Sequence, residues 1–82
     1  MIKLDVSRME KKAEAHAYLK EMLGFPAYYG NNLDALHDCL TELRDTRVCF
    51  VGSPEEDGYA ESILRVFRDA AEENPRLKLF YE

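Results

Sequence analysis

Asp34, Asp38 and Glu42 fall at i, i+4 and i+8 of a segment in which Leu33, Leu36, Leu40 and Leu43 recur at helical spacing. The three carboxylates stack on one helical face with no lysine or arginine interleaved. Each adjacent like-charge pair costs an isolated helix about 0.2–0.5 kcal/mol, and only Asp34, in the first turn, recovers part of that from the helix dipole. Carboxylates so arranged accept charge-assisted bonds from guanidinium or ammonium groups. The stripe is therefore a candidate surface for a basic partner, set against the plain alternative of a solvated face. Tyr28 and Tyr29, just before it, favour the partner, because flat apolar area combined with a hydroxyl is enriched at protein interfaces. Tyr29 is expected to be the more buried of the two and Tyr28 the more exposed.

Other chemistry is harder to assemble. His37 lies beside Asp38 and three residues from Asp34, but a metal site wants further ligands of defined geometry. The second histidine, His16, sits on a different helix with no paired motif. His37 reads as an exposed helical histidine, and no metal or cofactor is implied. Asp34 and Asp38 could form a carboxylate pair of the glycoside-hydrolase kind, yet one turn apart on an exposed helix they have no cleft. No Ser/His/Asp set, and no cysteine with an evident activating base, can be drawn from the rest. Cys39 and Cys49 read as buried free thiols. The chain is expected not to be an enzyme.

Composition sets the frame. With 82 residues the chain has room for one small domain over residues 1–82. Its 46% hydrophobic and 33% charged residues are ordinary for a folded globular protein. A net charge of −5 argues against binding a nucleic-acid backbone and fits a basic partner. No apolar run approaches the ~20 residues of a membrane span, and Met1–Ser7 lacks the apolar stretch of a signal peptide. With two cysteines in no metal-like spacing, these features predict a cytoplasmic protein.

The elements that must position these residues follow from periodicity. Ile2, Leu4 and Val6 alternate with Lys3 and Asp5 as a half-buried strand. A helix is expected from about Arg8 to Leu23, with Ala15, Leu19, Met22 and Leu23 inward, ended by Gly24 and kept closed by Pro26. After the Tyr28-Tyr29-Gly30 loop, Asn31 or Asn32 caps the acidic helix, which should run to about Arg44. Gly30 is expected to take a turn that a Cβ would strain. Arg47–Val51 is a continuous apolar run and reads as a strand buried on both faces. Ser53-Pro54-Glu55-Glu56 looks like a helix start, interrupted at Gly58. The main third helix follows from Tyr59 to Glu73, with Tyr59, Ile63, Val66, Phe67 and Ala70 as its apolar face. Its polar side offers the pairs Glu61–Arg65, Arg65–Asp69 and Arg68–Glu72. Arg76–Tyr81 is a last alternating strand. Strands separated by helices make an α/β fold: a three-stranded parallel sheet in order 1-2-3, with helices on one face and an open face carrying Lys3, Asp5 and Lys78.

The motif Pro26-x-Tyr28-Tyr29-Gly30-x-Asn32-Leu33-Asp34-Ala35-Leu36-x-Asp38-Cys39-Leu40-Thr41 closely resembles the core motif of the barstar family, intracellular inhibitors of barnase-type ribonucleases. Ala60-Glu61-Ser62-x-Leu64-x-Val66-Phe67-Arg68 is similar to the last helix of that family. The resemblance implies a stoichiometric, antitoxin-like inhibitor, a monomer when free and 1:1 with a basic microbial ribonuclease. Its acidic helix and preceding loop would plug the nuclease active site. Asp38 would stand in for the substrate phosphate, with Tyr28, Gly30, Asn32, Leu33 and Asp34 around it and Asp69 contributing from the third helix. The chain departs from the pattern in the rim: His37 replaces a tryptophan, Glu42-Leu43 a Gly-Trp pair, and Asp69 a longer glutamate. About six residues are missing between Val51 and Tyr59, which shortens or removes a small helix. His37 and Glu42 thus join the expected contact set with altered chemistry. A regulatory protein-binding module of the same fold, with a basic partner that is not a nuclease, remains the alternative.

Overall fold

Three parallel strands lie in the order β1-β2-β3, with β1 at Ile2–Asp5, β2 at Thr46–Val51 and β3 at Leu77–Tyr81, in a computed structural model that describes residues 1–82. Ile2 pairs with Val48 and Leu4 with Phe50, while Val48 pairs with Leu79 and Phe50 with Tyr81. Because side chains alternate along a strand, Leu4, Val48 and Phe50 share one face. There they join the core, and the Phe50 ring meets Phe67 of the third helix edge-on at 5.0 Å. Lys3, Arg47, Cys49, Lys78 and Phe80 share the other face. Val51, expected to be buried, is exposed on that open side. Cys49 stays buried there through its neighbours, its thiol donating to Glu82 Oε2 at 3.2 Å while Lys3 pairs with the same oxygen at 3.1 Å.

Three α-helices carry the rest of the core: α1 (Lys12–Leu23), α2 (Leu33–Thr41) and α3 (Tyr59–Glu73). Periodicity places α3 at its observed bounds, although its buried line is Ala60, Ile63, Leu64, Phe67 and Ala70, with Tyr59 and Val66 at its half-buried margin. Of the three polar pairs expected along it, Glu61–Arg65 forms, at 3.7 Å.

The expected first helix is broken in two. Val6–Met9 is a separate 3-10 turn, opened by the Asp5 carboxylate accepting the Ser7 amide at 3.0 Å. The α-helix starts only at Lys12, because Glu10 is drawn away to α3. Within α1, His16 and Tyr18 face inward, and Met22 faces solvent. Gly24, at φ 67°, closes the helix in the left-handed conformation.

The acidic helix also ends earlier than expected, at Thr41. The Asn74 side-chain amide takes the Leu40 and Leu43 carbonyls at 2.9 and 2.8 Å, so α2 is stopped from across the molecule. Glu42 is the C-cap residue, its amide folded back onto Cys39 and Leu40. The carboxylate stripe is therefore one helical pair, Asp34–Asp38, followed by a residue beyond the helix.

Ser53–Glu56 forms no helix. Its backbone is held instead by Glu10, whose Oε2 accepts the Glu55 amide at 2.6 Å. Gly58 does not interrupt a helix but begins α3 as its N-cap.

Candidate functional site

The loop between α1 and α2 is built from its aromatic residues. Phe25 and Tyr29 are buried with ring centroids 4.9 Å apart, which leaves Tyr28, between two anchored neighbours, 88% exposed. The two tyrosines divide as expected, Tyr29 buried and Tyr28 exposed. The turn itself is made differently. Asn31, at φ 56°, takes the left-handed conformation, and Gly30 does not. Asparagine tolerates that region well. What Gly30 supplies is room, since a Cβ there would lie 3.3 Å from both Ala35 Cβ and Asn32 Nδ2. Asn32 then caps α2, its side-chain oxygen accepting the Ala35 amide at 2.7 Å.

A groove of about 370 Å³ runs between this loop and the C-terminal half of α2. Leu23, Phe25 and Leu43 contribute its apolar wall; Tyr28, Gly30, Asp38 and Glu42 edge it. Four of the nine expected contact residues thus converge on one groove. Glu42, the C-cap residue with helical backbone angles, follows Asp38 by one turn onto the same groove. Cys39 lies in the same groove and is half-buried, not fully buried as expected. Burial raises its thiol pKa, and the carboxylates of Glu42 and Asp38 push it in the same direction, which keeps the thiol protonated.

The remaining candidates sit outside the groove. Asn32, Leu33 and Asp34 form the first turn of α2, Asn32 and Asp34 exposed and Leu33 partly buried against the core. His37 is not freely exposed. Its Nε2 meets Glu73 Oε2 at 2.7 Å, fastening α2 to the end of α3. Asp69 is exposed on α3, one turn before Glu73. The ion pairs of the molecule are Lys3–Glu82, Arg8–Glu14, His37–Glu73 and Arg65–Glu61. Asp34, Asp38, Glu42 and Asp69 therefore all present carboxylates that no internal cation neutralises.

Sequence reasoning missed His16. It is 1% exposed, with Nδ1 2.7 Å from the Tyr29 hydroxyl and Nε2 2.8 Å from the Tyr59 hydroxyl. Burial lowers its pKa, with Lys12 adding to the effect, so the ring is neutral at pH 7. Burial also raises the pKa values of Tyr29 and Tyr59, so both hydroxyls keep their protons. A neutral imidazole has one N–H and one lone pair; one tyrosine donates to it and the other accepts from it. The available signal was position: His16, Leu19 and Leu23 follow i, i+3, i+7 on the inward face.

The site is thus an acidic groove beside an exposed tyrosine on a small α/β scaffold, and no helix is long and apolar enough to cross a membrane. The family model described as "Barstar (barnase inhibitor)" matches residues 1–82, and the chain belongs to the barstar family, whose members inhibit ribonucleases and are not enzymes. It is also 44% identical over 64 residues to a Bacillus subtilis (strain 168) protein named "Putative ribonuclease inhibitor YrdF", a match covering 71% of this chain and 70% of that protein.

Proposed function

We propose that this chain is a stoichiometric inhibitor of a basic, barnase-type ribonuclease, acting in the cytoplasm as an antitoxin-like partner in a 1:1 complex. The observation that carries this reading is the set of unpaired carboxylates, Asp38 and Glu42, on a groove that Tyr28 and Gly30 complete. A nuclease active site holds its substrate phosphate with cationic side chains. A carboxylate on a rigid helix can take the place of that phosphate in charge-assisted bonds.

In this reading Asp38 enters the phosphate site. Tyr28, Gly30, Asn32 and Leu33 cover the ground around it, and Asp34 and Asp69 meet basic residues at the margin. His37 contributes less than a tryptophan would, because its ring is engaged with Glu73. Glu42 adds a charge beside Asp38 where the family pattern has a glycine, which favours a partner with one more basic group facing the end of α2. The family membership and the name of the Bacillus subtilis relative support the nuclease as target.

Titration of purified barnase with this protein tests the reading. RNA cleavage should fall linearly with added protein and reach zero near one equivalent. Cleavage unchanged at several equivalents contradicts a barnase-type target.

A further inference from the structure

We propose that His16 is the positioning residue of the partner-facing loop, holding Tyr28 and Gly30 in their binding geometry through the Tyr29 hydroxyl. The inference rests on the reading of this loop as part of the binding surface.

The loop has few other tethers. From Pro26 to Asn31 its backbone makes one internal turn bond, the Tyr29 amide to the Pro26 carbonyl at 3.0 Å. The Asn32 side-chain amide reaches the Gly30 carbonyl at 3.3 Å, which also stays local. Lys20 reaches the Ala27 carbonyl at 3.4 Å on the exposed side, where water competes for both groups. The bond from His16 Nδ1 to Tyr29 is the one buried polar link from this segment to another element.

That link is short, dry and continued. The Nε2 side of the same ring meets Tyr59 in the first turn of α3, so one side chain of α1 joins the loop to two helices. The rings also pack against one another, His16 lying 5.7 Å from Tyr29 and 5.5 Å from Tyr59 between centroids. A hydrogen bond out of reach of water has no ready replacement and fixes direction as well as distance. Tyr29 is thereby held at both ends, its ring on Phe25 and its hydroxyl on His16. Its chain neighbours Tyr28 and Gly30 inherit that orientation. Binding then proceeds without the entropy cost of ordering the loop.

Backbone relaxation of the free protein decides between tethering and simple space-filling. Phenylalanine at position 16 keeps the ring volume and loses both polar bonds; asparagine is smaller but places an amide where Nδ1 lies. In His16→Phe, order parameters for Ala27–Asn31 should fall from about 0.85 toward 0.6 or below, with α2 unchanged. In His16→Asn they should stay near the parent value. The reverse order, with Phe rigid and Asn loose, shows that His16 only fills space and overturns the proposal.

Should His16→Phe not fold, Tyr29→Phe removes only the hydroxyl and must loosen the same residues; an unchanged loop there overturns the proposal equally. Barnase affinity provides the functional arm, with about a tenfold loss expected for His16→Phe and little for His16→Asn. A parent protein that does not bind barnase at all removes barnase as the target and leaves the tether to the relaxation data.

Discussion

The Glu10 carboxylate accepts the Ala60 amide at 3.2 Å, so a side chain from the link between the first turn and α1 caps α3 from 50 residues away. Gly58, the N-cap position of α3, has no side chain to do this. The Glu10 backbone adds a second contact, its carbonyl accepting the Tyr59 amide at 3.1 Å. Glu10→Ala should therefore cost about 0.5–2 kcal/mol, the range for losing a helix cap, read as a lower urea midpoint at an unchanged slope. An unaltered midpoint would show that water satisfies these amides as well as Glu10 does.

Gly58 depends on the same contact. A Cβ at this position collides with the Glu10 carboxylate. Gly58→Ala should destabilise the protein although its φ of −85° is open to any residue. In a Glu10→Ala background the same change should cost much less, because the colliding group is gone. A double-mutant cycle measures that non-additivity. Additive losses would contradict the geometry.

Protonation of His16 couples stability to pH. The groups facing it are Lys12 on its own helix, Tyr29 from the loop and Tyr59 from α3. Its folded pKa lies below the ordinary 6.5, so as pH falls through 6.5 the unfolded chain takes up a proton before the folded chain does. Stability is full above 6.5 and declines below it, until the pH passes the folded value. Urea melts from pH 7.5 to 5 should show this slope in the parent and a flatter one in His16→Phe. Equal slopes in both proteins would assign the pH dependence to other groups.

Electrostatic steering should show in the association rate. A net charge of −5, with unpaired carboxylates on one surface, attracts a basic partner over distances that salt screens. The barnase–barstar pair is itself a reference case of such steering, so the prediction for this chain is the direction alone. Association with barnase should slow as salt rises, while dissociation changes less. A salt-independent association rate would mean that these carboxylates do not face the partner.

Local chemistry made much of this architecture legible. The α3 bounds follow from an apolar line between the Pro54–Gly58 segment and Pro75, and a cap at Asn31 or Asn32 is legible because such a side chain acts within its own turn, the structure choosing Asn32. The split of Tyr28 and Tyr29 was less legible, since either or both rings could pack under the loop, and the buried partners Phe25 and His16 select Tyr29. Long-range interactions account for the rest. Asn74 ends α2 from the far end of α3, and Glu10 holds both Glu55 and Ala60, so neither the short α2 nor the missing helix at Ser53–Glu56 has a local signature. The role of His16 is hidden in the same way. Its position marked it as inward-facing, but its partners Tyr29 and Tyr59 come from two other elements.

Asp38→Ala separates binding from folding most directly. Asp34 stands one helical turn before Asp38, and Glu42, at the C-cap, stands one turn after it, so removing the Asp38 charge relieves two like-charge pairs and stabilises the free protein by about 0.4–1 kcal/mol. In the proposed complex the same carboxylate would be desolvated and paired, and losing a charge-assisted bond there would cost at least about 1.5–3 kcal/mol, which is tenfold or more in affinity. Paired urea melts and barnase inhibition assays on Asp38→Ala should move in opposite directions, with stability unchanged or slightly raised and inhibition weakened at least tenfold. A variant clearly less stable, yet inhibiting as well as the parent, would make Asp38 a structural residue and contradict the assignment of this helix to the partner.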